Sequence, residues 1–94
     1  MEVEDRLEPE GEGGGLLRTL TMRGGSQRIW FGAAPAGEIV EKGGAWTASG
    51  LHMRLRSPRS AETAVVRKDE LEHLLIGIDF DARGEATLVM EIEW

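Results

Sequence analysis

The chain has 94 residues, a net charge of -6 and no cysteine, a size that holds one domain rather than two. Disulfide scaffolds, thiolate metal sites and cysteine nucleophiles are excluded. The 40% hydrophobic and 30% charged content is that of a globular chain, and no apolar run reaches the roughly 18 residues of a membrane helix.

Residues 1–15 combine six acids, Pro9 and a glycine cluster at Gly11, Gly13, Gly14 and Gly15. They read as a flexible acidic tail, followed by a single β-rich domain over 16–94. With three acids in Met1–Asp5, the start does not have the basic character of a secretion signal, and the expected location is the cytoplasm.

From Leu16 onward the spacing becomes period two, with Leu20 and Met22 alternating against Thr19 and Thr21, which predicts a strand. Gly24–Gly25 suits a two-residue hairpin turn into a strand over 27–32. In that register Leu20 faces Ile29, and Leu20, Met22, Ile29 and Phe31 share the core face. Residues 33–37 read as a connection and 38–42 as a short strand around Ile39 and Val40. Gly43–Gly44 then makes a second tight turn into 45–49.

Leu51, Met53 and Leu55 alternate with His52, Arg54 and Arg56 in the next strand. A bulge at Gly50 would bring Trp46 onto its apolar face. Residues 57–60 form a turn, and 61–67 a strand centred on Val65 and Val66. Asp69 with Glu72 three residues on resembles a helix start, and Leu71, Leu74 and Leu75 fall on one helical face, so a short helix is expected near residues 70–75, stopped at Gly77. Ile76, Ile78 and Phe80 continue as a strand. Asp81–Gly84 forms a turn in which the Asp81 carboxylate bonds its own backbone. The last strand, 85–94, alternates throughout and is expected to anchor Trp94 in the core. The fold class is mainly antiparallel β (α+β): a small β-sandwich or partly open barrel of five to seven strands with one short helix.

Charge is segregated along the chain. Residues 1–14 carry a net -5, 15–68 a net +6 and 69–94 a net -7. Blocks of this kind either pair with one another across strands or bind oppositely charged partners.

Catalytic chemistry finds little support. His52 and His73 are the only bases that titrate near neutrality, and neither sits in a nucleophile pattern. Ser26, Ser49, Ser57 and Ser60 lack a Gly-x-Ser-x-Gly elbow. Asp79, Asp81 and Glu85 resemble the start of a calcium loop, but Arg83 and Met90 stand where ligands belong. Gly11–Gly15 has neither a preceding strand nor a following Gly-Lys-Ser or Gly-Lys-Thr, so it makes no phosphate cradle. No metal or cofactor is expected.

Two surfaces remain. Asp79, Asp81, Glu91 and Glu93 form a candidate acidic face for docking on a basic protein, as in small inhibitors, immunity proteins or regulatory subunits. Arg28, Trp30, His52, Arg54, Arg56 and Arg59 form the alternative, a basic face for nucleic acid. A homodimer through a sheet face or edge is the third option, because a domain this small buries little of its surface alone.

Overall fold

A computed structural model describes residues 1–11 and 14–94; Glu12 and Gly13, part of the glycine cluster expected to be flexible, lie outside the described residues. Nine antiparallel strands make two sheets, with no helix among the described residues. The strands are β1 (Glu2–Glu10), β2 (Gly15–Arg23), β3 (Ile29–Ala36), β4 (Ile39–Lys42), β5 (Ala45–Ala48), β6 (Leu51–Ser57), β7 (Thr63–Lys68), β8 (Leu71–Ile78) and β9 (Glu85–Glu93). The larger sheet has the order β1-β2-β9-β6-β5-β4 and the smaller β3-β8-β7.

The two inner faces meet in one core. Leu20, Met22, Leu88, Met90, Met53, Leu55 and Trp46 come from the larger sheet, and Leu74, Ile76 and Ile78 from the smaller. Each set alternates along its strand, as period two requires when one face is buried. The molecule is accordingly flat, 37 × 36 × 22 Å, with a thickness that fits two layers about 10 Å apart plus their outer side chains. No helix among the described residues is long and apolar enough to cross a membrane.

Several expectations are corrected by non-local pairing. Residues 2–10 are not a tail: they form β1, paired with β2 from Glu2↔Arg23 to Glu10↔Gly15. The strand number is nine rather than five to seven. The helix expected near 70–75 is instead the start of β8, which pairs on one side with β3 and on the other with β7. Asp69 and Glu70, both left-handed at φ 54° and 67°, make the two-residue turn of a β7–β8 hairpin. A single helical turn satisfies few of its own backbone groups, whereas a central strand is bonded on both edges.

Gly24–Gly25 does not turn a hairpin either. β3 pairs with β8, so the Leu20–Ile29 register is absent, although Ile29 and Phe31 do pack against the core. The glycine pair has another role: the amides of Gly24 and Gly25 both donate to the Gly84 carbonyl, at 2.8 and 3.2 Å. The Phe80 ring occupies the space where a Gly25 side chain would stand. This contact ties the β2–β3 loop to the β8–β9 turn.

Other turns follow the sequence. Gly43 and Gly44 are left-handed and close the β4–β5 hairpin. Asp81 Oδ1 accepts from the Arg83 and Glu85 amides at 2.9 Å, the expected Asp-started turn. Gly50 is not a bulge but the second residue of a tight Ser49–Gly50 turn between β5 and β6, which puts Trp46 opposite Met53 and buries both. The bulge lies at Arg56, where the β6–β9 register shifts between Leu55 and Ser57. Trp94 follows the last paired residue and is 67% exposed, so it is not a core anchor.

Gly84 combines a φ of +77° with a would-be Cβ only 2.9 Å from the Gly25 carbonyl oxygen. Gly84→Ala is therefore expected to destabilise the fold by about 1–3 kcal/mol, read as a lower urea midpoint. Gly37→Ala, in open space without positive φ, serves as the control and should shift it far less.

Candidate functional site

The charge blocks pair with one another in part: of the nine bases in residues 15–68, Arg18, Arg28 and Arg56 form ion pairs among the described residues. β6 presents His52, Arg54 and Arg56 on its outer side, and β9 beside it presents Glu91 and Glu93. Arg54 stands opposite Glu91 and His52 opposite Glu93. The bulge at Arg56 re-aims that side chain: its Nη2 lies 2.7 Å from Glu91 and 3.2 Å from Glu10 of β1. One arginine thus ties β6, β9 and β1 together across the outer face. His52 meets the Thr47 hydroxyl at 3.2 Å, and Arg59 lies in the β6–β7 loop.

At the opposite end, Arg28 forms a fork onto Asp79, with Nε–Oδ1 at 2.7 Å and Nη2–Oδ2 at 2.8 Å, and its Nη1 contacts Glu62. These bonds hold the Asp79 carboxyl below its ordinary range, and the two carboxylates, Asp79 first, make the Arg28 guanidinium still harder to deprotonate. Arg28 also lies over the Trp30 ring at 5.8 Å, and Trp30 covers Gly77 across the strand pair, its Cζ3 3.3 Å from where a Cβ would stand. Trp30 is 45% exposed, but ring contacts with its own sheet take up part of its surface.

The four acids singled out from the sequence do not form one patch. Asp79 and Asp81 lie at the β8–β9 turn, where the Asp81 amide donates to the Glu85 carbonyl at 2.9 Å. Glu91 stands six residues further along β9, about 20 Å away at strand spacing. The basic residues divide in the same way, with Arg28 and Trp30 at one place and the β6 side chains at another.

What the structure brings together instead is β1. Direct cross-strand partners share a face, so Val3, Asp5, Leu7 and Pro9, opposite Met22, Leu20, Arg18 and Leu16, point to the core side of the sheet. Among the described residues no strand of the smaller sheet pairs with them or packs over them. Val3 is 56% and Leu7 58% exposed, because the core is sealed one strand earlier. There Arg18 packs over Phe31 at 5.1 Å and binds Asp5 through Nε–Oδ1 at 3.1 Å and Nη2–Oδ2 at 2.8 Å. That fork lowers the Asp5 pKa. The other face of β1 carries Glu2, Glu4, Arg6, Glu8 and Glu10. β1 is the outermost strand of its sheet, so on its far side alternate backbone groups of its nine residues are unpaired among the described residues.

The signal for this strand was present in the alternation of Val3 and Leu7 with Glu2, Glu4, Arg6 and Glu8. Asp5, where an apolar residue belongs, interrupts it. Comparison of the chain with family models, curated proteins and solved structures finds no match.

The Arg28 and Arg18 forks set the acid response. A carboxyl whose folded pKa is depressed contributes stability that is complete above its ordinary value, here 3.8, and is lost as pH falls through the lower folded value. Urea midpoints are expected to drop below about pH 4. Asp5→Asn with Asp79→Asn should lower the midpoint at pH 7 slightly, since both pairs are solvent-exposed, and flatten its fall between pH 4 and pH 2.

Proposed function

We propose that the chain is a non-enzymatic protein-binding module that docks on a basic partner protein in the cytoplasm, as an inhibitor, immunity factor or regulatory subunit does. The observation that carries this reading is the free β1 edge, which couples unpaired backbone to an uncovered apolar face and an acidic one. Addition of a strand to a sheet edge uses all three: main-chain hydrogen bonds hold the incoming segment, and its alternate side chains read the two faces. A segment alternating apolar residues with lysine or arginine matches β1 on both.

The charge pattern selects against a second copy in this place. In an antiparallel pair of two β1 strands centred on Arg6, Glu4 would face Glu8 of the other copy and Glu2 would face Glu10. Like charges directly opposite destabilise a strand pair. The same acids attract a basic partner and speed its encounter at low salt.

Nucleic acid on the outer face of β6 is the second reading. Arg54 and Arg59 favour it, since neither is in an ion pair among the described residues. Arg28 and Arg56 are already held by carboxylates.

Affinity capture on tagged protein, with and without nuclease treatment of the extract, tests the two. One stoichiometric protein is expected to stay bound to the wild type in both halves and to be lost from a Leu7→Ser, Glu8→Lys variant, whose changes are confined to exposed β1 side chains. Retention of that protein by the variant would contradict docking at β1. Companions lost on nuclease treatment would favour the arginines of β6.

A further inference from the structure

β5 is shorter than the strand it pairs with. Its register with β6 ends at Ala45↔Arg54, while β6 continues to Ser57. The sheet therefore has a notch beside Leu55 and Arg56, and the β6–β7 loop borders it. This notch is an open cleft of about 530 Å³, within the range of small-molecule sites.

Its lining divides into two chemistries. Trp46, Leu55 and Ala61 supply apolar wall, and the indole N–H of Trp46 is buried with no hydrogen-bond partner among the described residues. Arg54, Arg56 and Arg59 supply cationic wall, with Thr63 adding a hydroxyl. Arg56 is neutralised by Glu91, which also lines the cleft. Glu41, exposed on β4, is the remaining carboxylate of the lining. Arg54 and Arg59 are left with no ion pair among the described residues.

We infer that this notch binds a small phosphate monoester carried on an apolar or aromatic body. Arg54 and Arg59 keep their guanidinium groups out of ion pairs among the described residues, and their planar forks suit bidentate bonds to the oxygens of such a group. The apolar wall takes the body of the ligand. Inorganic phosphate would use only the cationic wall, and a carboxylate of the same shape would carry half the charge. The site lies at the β6–β5 side of the larger sheet, separated from β1 by two strands and joined to it by the Arg56–Glu10 pair.

Phenyl phosphate, inorganic phosphate and benzoate, titrated calorimetrically into the full-length protein at low salt, distinguish these contributions. Saturable one-to-one binding of phenyl phosphate is expected, at least tenfold tighter than that of either other probe. Arg54→Ala and Arg59→Ala should each weaken it tenfold or more, and Arg83→Ala, on the β8–β9 turn, should leave it unchanged. Both arginine side chains are exposed, so circular dichroism of the variants should match the wild type. Absence of saturable binding, equal binding of phenyl phosphate and inorganic phosphate, or unchanged affinity in the Arg54→Ala, Arg59→Ala double variant would overturn the inference. So would affinity for single-stranded oligonucleotides that rises steadily with length, the mark of an extended nucleic-acid track rather than a closed site.

Discussion

A sheet of three strands lies on a sheet of six, and the structure follows from that mismatch. The smaller sheet, with Phe31 at its rim, closes the core at β2, where Arg18 caps it and holds Asp5. β1 lies beyond the cover. Leu20 and Met22 on β2 are buried, while their neighbours Asp5 and Val3 on β1 are exposed. One strand spacing of roughly 5 Å separates core from open surface. An apolar residue in such a position gains little from folding, and it stands beside a backbone edge of the kind that can template strand pairing.

The charges of the exposed sheet are arranged locally. The formal segregation into acidic, basic and acidic blocks resolves in space into local pairs: Arg18 with Asp5, Arg28 with Asp79 and Glu62, Arg56 with Glu91 and Glu10. Individually such exposed pairs contribute little stability. Their greater effect is positional. Each joins segments distant in sequence, and Arg56, thrown out of register by its bulge, links the edge strand to the middle of the sheet. The acids along β1 would stand opposite one another in a β1–β1 pair centred on Arg6, where like charges destabilise the pairing. Clusters of charge on edge strands are a common defence against indiscriminate strand pairing.

The parts legible in the sequence were those set by local chemistry. The period-two alternation from Leu51 and from Glu85, the left-handed Gly43–Gly44 turn and the self-bonded Asp81 turn all appear where the residues place them. The departures occur where a distant strand decides. Asp69, Glu72 and the leucines that follow suit a helical turn as well as a strand, and only the presence of β3 and β7 on either side of β8 selects the strand. Gly24 and Gly25 carry the composition of a hairpin turn, but their small size is used for close approach to Gly84 and Phe80. In β1 the single substitution of an apolar position by Asp5 hides the alternation, and the reason for it, an arginine on the neighbouring strand, cannot be read locally. The four acids chosen as one face share a sign but lie at two ends of β9, because strand length separates them.

The account rests on β1 being an ordered strand with one side unpaired. Residue-resolved amide hydrogen exchange of the free protein tests this directly. An edge strand sends alternate amides toward its neighbour and the others outward, so protection should alternate along residues 2–10 while the amides of β9 are protected throughout. Uniformly fast exchange over residues 2–10 would contradict the account by making the segment a tail. Uniform protection would contradict it too, by showing that the edge is already occupied.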